Sequence, residues 1–305
     1  MPVPRLASKT RHSIFIIFLS ALFLGALHLT GSAVVFAQDR HLLWSVDAGE
    51  GRVTLMGSIH TLRPEDYPLP SAYERAYNDA TVIVFETDIS RMNDQAIQER
   101  LLSLGLYPEG ETLRDHLSSD AYDALATVLR DRGLSPEQFA RFKPWFCAFS
   151  LTLLELQRLG FSPLHGLDMH FFTRAGQDGK EMFHLESAET QIEHVASLGH
   201  SEQESFLLQS LQDLEVLASK AAGMTEAWRN GDAGGLDDII QMGFKGFPEI
   251  YDRLITRRNR DWLPRVEDLI KGGRNVLVIV GAGHLVGDDS LVRMLEDRGY
   301  RLEQE

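Results

Sequence analysis

Two Gly-x-x-His tetrads and two strand-terminal glutamates are the residues of this chain best suited to chemistry. Gly57-Ser58-Ile59-His60 closes the run Arg52 to Met56, and Gly281-Ala282-Gly283-His284 closes the run Val276 to Val280. Thr81 to Phe85 (TVIVF) leads into Glu86, with Thr87 and Asp88 behind it. Lys180 to Leu185 (KEMFHL) leads into Glu186, followed by Ser187 and Glu189. Open α/β sheets place ligand sites beyond the carboxyl ends of their strands. If the four strands are neighbours, two imidazoles and two carboxylates meet there. Such a nitrogen-and-oxygen donor set suits a divalent Mn, Co, Zn or Fe ion. A bound ion makes hydroxide available near neutral pH. A carboxylate not spent on the ion can act as general base.

The tetrad by itself carries little weight. Composition alone yields about one Gly-x-x-His by chance in a chain of this length. A third copy, Gly25-Ala26-Leu27-His28, falls in an N-terminal apolar run and is read as such an accident. Context distinguishes the other two, because each follows an apolar run of β type. The glycine lets the backbone turn sharply there, and a His three residues on can face over the sheet edge. A single strand-end His or Glu is as easily a solvated rim residue; the weight lies in four of them, each on its own strand.

The elements that must position these groups alternate along the chain. Leu42 to Val46 and Val53 to Met56 read as a hairpin through Asp47–Gly51. TVIVF and Val276 to Val280 (VLVIV) are continuous β-branched runs, expected to be buried on both faces. Residues 93–159 carry apolar spacings of three and four, punctuated by Pro and Gly, and predict several helices. Residues 189–232 and Tyr251 to Lys271 are helical by the same reading, with Gly243 to Pro248 as a loop. A helix at Ser290 to Arg298 and a strand at Tyr300 to Glu303 follow. The pattern predicts an α/β (α+β) fold: a central mixed β-sheet with helices packed on it, a helical insertion at about 93–160, and the two strand–GxxH units at the sheet rim.

Composition bounds the chemistry further. The 305 residues hold 30 Lys and Arg against 44 Asp and Glu, a formal charge of −14. That excess of acid argues against a nucleic-acid partner. The lone cysteine excludes an internal disulfide and a Cys-based zinc cluster, so any metal must be held by His, Asp and Glu. Cys147, among Phe142, Trp145 and Phe146, reads as a core thiol rather than a nucleophile.

Residues 1–37 have the layout of a secretory leader. Arg5, Lys9 and Arg11 precede the apolar stretch Ile14 to Leu27, and Val35-Phe36-Ala37 offers a cleavage site before Gln38. The stretch to Ala37 also approaches the length of a bilayer span, which leaves an uncleaved membrane tether as the alternative. Either reading puts the body, residues 38–305, outside the cytoplasm. The leader holds three of the basic residues and no acid, so the body carries −17.

The ordered motifs resemble the TraB/PrgY/GumN family, related to the Tiki metalloproteases, over about Trp44 to Gln304. They are GSIH at Gly57–His60 with Pro64 beyond it, ETD at Glu86–Asp88, and GLDMHF at Gly166–Phe171. LESAETQ at Leu185–Gln191 follows, then YDRLITRRNRDWLPRVEDLI from Tyr251 and VLVIVGAGHLVGDDSLVRMLEDRGYRL at the end. The resemblance implies a metal-dependent hydrolase acting on peptide bonds, with Mn or Co the metals associated with the Tiki relatives. It implies His60, Glu86 and His284 as metal ligands, with Glu86 also a catalytic carboxylate; Glu186, read from its strand end, is the second catalytic carboxylate expected. It makes Asp168 a candidate for substrate binding, together with Arg258 and Asn259, of which Asn259 could instead orient a ligand or cap a turn. Arg260 is expected to face the reaction and either hold a substrate carboxylate or stabilise an oxyanion. Without the resemblance, Arg258 and Arg260 read as surface charge on an amphipathic helix. His165 and His170 read as helix-start or packing residues.

Two decoys are set aside. VLVIV-GAGHLVG followed by a helix, with Glu303 beyond it, is similar to a dinucleotide fingerprint. However, Asp288 and Asp289 stand where a pyrophosphate needs positive charge. Ser58 lies near His60 but in no Gly-x-Ser-x-Gly elbow. Two readings of function follow from the sequence: a secreted or tethered metal-dependent hydrolase with a peptide or protein substrate, or a non-catalytic extracytoplasmic protein of the same fold that sequesters a peptide or assists polymer export.

Overall fold

The structure, a computed structural model, describes residues 40–305; the leader or tether expected at 1–37 lies outside them. The run Val276–Gly281 (β5) is buried at every residue, as a β-branched strand covered on both faces should be. Val82–Thr87 (β3) is buried just as completely. Around them lie Leu43–Ala48 (β1), Gly51–Ser58 (β2), Glu181–Glu186 (β4) and Glu303–Gln304 (β6). Their order across the sheet is β4-β3-β5-β2-β1-β6. The four strands β4, β3, β5 and β2 are parallel neighbours, so their carboxyl ends face one rim. Strands β1 and β6 are antiparallel additions at the other edge.

Local chemistry explains the strand ends. The β1–β2 hairpin turns at Gly49, whose φ of 71° suits a residue without Cβ. Edge strand β4 exposes its first four residues and buries only Leu185 and Glu186, the pair that reaches the rim. The strand expected at Tyr300 to Glu303 is shorter and later, Glu303–Gln304. It pairs Glu303 with Ser45, at the edge farthest from β4. Strand β6 is therefore separated from β5 by β1 and β2, which disposes of the nucleotide-domain decoy.

Helices cover the sheet. Ser71–Asp79 (α1) joins β2 to β3. Gln95–Gly105 (α2), Ser119–Asp131 (α3), Pro144–Arg158 (α4) and Leu167–Asp178 (α5) fill the passage from β3 to β4. Ala188–Ala196 (α6), His200–Asp213 (α7), Leu217–Arg229 (α8) and Ala233–Gly243 (α9) follow β4. The long helix expected from Tyr251 is made of Pro248–Tyr251 (α10), a π-helical turn at Asp252–Thr256, and Arg257–Lys271 (α11). Leu291–Asp297 (α12) is capped by Ser290, whose hydroxyl accepts from the Arg293 amide. Among the described residues no helix is long and apolar enough to cross a membrane.

One contact ties the upper helices to the rim. The Trp228 indole of α8, fully buried, donates from Nε1 to the Gly57 carbonyl at 2.9 Å, and its ring lies 5.1 Å from that of Tyr73 in α1. It thus holds α8 against the strand that ends in His60. Trp228→Phe keeps an aromatic ring but leaves a buried carbonyl unpaired, so denaturant unfolding should show a loss of about 1–3 kcal/mol.

Candidate functional site

The four strand-end residues do converge. His60 lies two residues past β2, Glu86 is the penultimate residue of β3, His284 is on the 3-10 turn after β5, and Glu186 is at the end of β4. All are buried. His60 Nε2 and His284 Nε2 each stand 3.8 Å from the same oxygen, Glu86 Oε1. That oxygen also accepts the Gly281 amide at 2.5 Å. Register explains the convergence: Ser58 pairs with Gly281 and Thr87 with Glu186, so each tetrad and each acid leaves the sheet at the same level.

Each imidazole is anchored from behind. His60 Nδ1 lies 2.7 Å from Asp168 Oδ2, and Asp168 Oδ1 accepts the Ser58 hydroxyl at 2.8 Å. Asp168 sits in the first turn of α5, which is pinned to the strand by the Leu167 amide on the Ile59 carbonyl. Gly166 permits that approach, since a Cβ there would meet the His60 carbonyl oxygen at 2.2 Å. His284 Nδ1 lies 2.7 Å from Asn259 Oδ1, while Asn259 Nδ2 donates to the carbonyls of His284 and Asp289. The amide oxygen can only accept, so His284 carries its proton on Nδ1 and a lone pair on Nε2.

Arg258 is the centre of the cluster. It is 1% exposed, and all five of its N–H donors are placed. Nη2 donates to Glu86 Oε2 at 2.6 Å and to Glu186 Oε1 at 2.8 Å. Nε donates to Glu186, and Nη1 to the Leu254 carbonyl and to His284 Nε2 at 3.0 Å. Trp262 stacks on the guanidinium, with 4.5 Å from Cζ to its ring, and donates from Nε1 to Glu186 Oε2. The expectation for Arg260 is corrected: two residues on from Arg258 it lies on the opposite side of α11 and is exposed. The expected substrate-binding roles shift as well. Arg258 is occupied by the two carboxylates, Asn259 orients His284, and Asp168 orients His60.

Burial and charge set the protonation states. Burial alone would raise Glu86, but the Arg258 guanidinium outweighs it and, with both imidazoles and the Gly281 amide, holds the carboxyl near pKa 2. Burial pushes Glu186 above the usual carboxylate range, even though Arg258 pulls it down. Burial would lower His60, but the charge and hydrogen bond of Asp168, aided by Glu86, raise it to about 9. Burial and Arg258 together depress His284 to about 3.

Among the described residues, no three His, Cys, Asp or Glu side chains as placed form a group that could hold a metal ion. The three residues expected as ligands, His60, Glu86 and His284, are brought together, and as placed a guanidinium faces the carboxylates and the His284 lone pair. The chemistry of the donors still suits an ion. Two ring nitrogens and a carboxylate oxygen face one another, and Gly281 keeps their flank clear. A Cβ at Gly281 would stand 2.9 Å from His60 Nε2 and 3.1 Å from Glu86 Oε1.

The remaining candidates fall outside this cluster. Cys147 is fully buried, and burial raises its thiol. Ser58 donates to Asp168 and is no nucleophile. His165 and His170 pack against Tyr67. Three residues had no role assigned from sequence: Trp262, Thr87 and Gln191, whose Nε2 donates to Glu86 Oε2 at 3.2 Å. Trp262 could have been found from its spacing, one helical turn beyond Arg258.

Comparison with known proteins follows the same residues. The sequence profile described as the TraB/PrgY/gumN family matches residues 42–304. "Uncharacterized protein YbaP" of Escherichia coli (strain K12) is 26% identical over 262 residues, covering 85% of this chain and 94% of the relative. "Metalloprotease TIKI2" of Danio rerio is 25% identical over 304 residues, covering 82% of this chain and 57% of the relative. No solved structure matches.

Two outcomes follow from the electrostatics. Arg258→Met strands two buried carboxylates, and denaturant titration near neutral pH should show a loss of about 3–5 kcal/mol. The His60 pKa is raised from 6.5 to about 9 on folding, so its contribution is complete below pH 6.5 and lost as pH rises through 9. In chelating buffer, stability should decline across that window, and Asp168→Asn should flatten the decline; a parallel slope in the variant would refute the assignment.

Proposed function

Because the chain belongs to the TraB/PrgY/gumN family, we propose that it is a metal-dependent hydrolase of peptide-like substrates that works outside the cytoplasm. One observation carries the reading: two imidazole Nε2 atoms aimed at a single carboxylate oxygen, each ring fixed through Nδ1 by Asp168 or Asn259. Anchored Nδ1 atoms are the habit of metal-ligating histidines. His60, His284 and Glu86 would hold the ion, and Mn, Co and Zn suit such donors. When bound, the ion supplies Lewis acidity and lowers the pKa of water.

The chain's own groups divide the remaining work. The two carboxylates differ in pKa although one guanidinium lowers both: the imidazoles and the Gly281 amide help to hold Glu86 down, while burial raises Glu186, an arrangement that separates acid–base roles. Glu86 stays ionised and acts as ligand. Glu186, raised by burial, takes and returns the proton at Oε2 or Oε1. Arg258 is a positioning residue that fixes both. The leader, with Arg5, Lys9 and Arg11 ahead of Ile14 to Leu27, supports export or tethering. The metalloprotease named among the relatives supports the peptide-bond chemistry.

A second reading has its own support. Arg258 Nη1 donates to His284 Nε2, the atom an ion would need. That arrangement favours a non-catalytic protein of the same fold that captures a peptide. Elemental analysis of the purified protein separates the two. The hydrolase reading expects about one divalent ion per chain, lost in His60→Ala and His284→Ala, with peptide turnover lost in both. Metal-free protein that gains no turnover on a peptide library from added Mn²⁺, Co²⁺ or Zn²⁺ would leave only the binding reading.

A further inference from the structure

Two cavities meet at His60. The larger is a cleft of roughly 930 Å³, its open mouth included, walled by helices that pack above the strand ends. Phe149 of α4, Phe206 of α7, Met224 of α8, Ile240 of α9, Phe244 just after it, and Leu254 of the π turn form its walls. Among its described lining residues none is Asp, Glu, Lys or Arg. Its polar side chains are Ser58, His60, Thr61 and Thr225, and the Ser58 and Thr225 hydroxyls are already bonded, to Asp168 and to the Ala221 carbonyl. The cleft therefore makes few polar demands on its occupant.

The smaller cavity, roughly 320 Å³, shares His60 with the cleft and, unlike it, has acidic and amide side chains among its lining residues. Glu86, Asp168, Gln191 and Thr87 line it beside Phe85 and Met92. The Thr87 hydroxyl is the telling group. Thr87 is 6% exposed, and its Oγ1 is buried without a hydrogen-bond partner. An unpaired buried hydroxyl is costly in a folded protein and points to a ligand that completes it.

We propose that the substrate is a peptide lying across His60, with a large apolar side chain in the larger cleft and a main-chain polar group hydrogen-bonded to Thr87 Oγ1 in the smaller one. The assignment rests on reading the rim as the reacting site, and it adds the substrate's polarity and orientation. The two cavities share His60 as a lining residue, so one extended peptide that spans it can offer a side chain to one and a main-chain group to the other. Gly281 and Gly283 line the cleft beside His60. Without side chains they let a main chain come close, whereas a Cβ at Gly281 would project onto His60.

The probe is a set of acetylated, amidated pentapeptides, Ala-Ala-X-Ala-Ala, with X as Ala, Leu, Phe, Asp or Lys. Binding is read by calorimetry and cleavage by product release, on the full chain with added Mn²⁺. The Leu and Phe peptides should bind about 10- to 100-fold more tightly than the Ala peptide, the worth of burying one such side chain. Met224→Trp, at a half-buried position, fills the cleft and should reduce Leu and Phe affinity to that of Ala. Ile240→Ala enlarges it and should shift preference from Leu toward Phe, which covers a failure of the Trp variant to fold. Thr87→Val keeps the side-chain shape and should weaken all five peptides about 5- to 10-fold without changing their order.

Equal affinity across X, no binding by any peptide, or a Leu and Phe preference untouched by both cleft variants would overturn the cleft assignment, even if peptides are cleaved. Full affinity in Thr87→Val would overturn the Thr87 contact. Selective binding that Met224→Trp removes, with no cleavage of any peptide, would sustain the inference and defeat the hydrolase reading instead.

Discussion

The structure is organised around one buried cation. Glu86 and Glu186 end adjacent parallel strands, and both are withdrawn from water. Two carboxylates cannot be buried side by side unless something neutralises them. Arg258 does so with charge-assisted bonds to each, and Trp262 covers its open face. Such a cluster adds little net stability over an apolar equivalent, because desolvation offsets the attraction. Its consequence is geometric: the guanidinium fixes where β3 and β4 end relative to α11, and therefore where Glu86 faces the two histidines.

The same helix carries three of the positioning groups. Arg258, Asn259 and Trp262 lie within about one turn and a half of α11, and each reaches a different part of the rim. Arg258 takes the acids, Asn259 takes His284, and Trp262 takes Glu186. The π-helical turn at Asp252–Thr256 precedes them directly, with the Arg257 amide bonded five residues back to Asp252. A π turn changes the rotational phase of the residues after it. It thus decides that Arg258 points inward and Arg260 outward.

That phase marks the limit of what sequence reveals here. The four strand ends were legible because parallel strands buried on both faces must be written as unbroken apolar runs, and an acid or Gly-x-x-His at the end of such a run stands out. Their adjacency was a condition at that stage, and the order β4-β3-β5-β2 meets it. The inward arginine was not legible, since an amphipathic repeat places Arg258 and Arg260 only if the helix is uniform. The function of Asp168 was not legible either. It looked like a group for a substrate, yet it is held behind an imidazole by a contact 108 residues distant in sequence. The apolar cleft was hidden for a simpler reason. Its walls come from α4, α7, α8 and α9, and each apolar stripe alone is indistinguishable from core.

The two histidines, alike in motif, end in different electrostatic settings. His60 is backed by a carboxylate and faces Glu86, so it holds its proton to about pKa 9. His284 is backed by a neutral amide and faces Arg258, so its Nε2 is bare down to about pKa 3. An incoming cation would therefore meet two distinct obstacles. At His60 it competes with a proton, which is easier to remove as pH rises. At His284 it competes with one N–H of Arg258, which no accessible pH removes. The remaining bonds of Arg258 to Glu86 and Glu186 can persist while Nη1 gives up the imidazole. Whether this rim works as a reaction centre or as a closed binding site thus turns on the His60 proton and on one hydrogen bond of 3.0 Å, between Arg258 Nη1 and His284 Nε2.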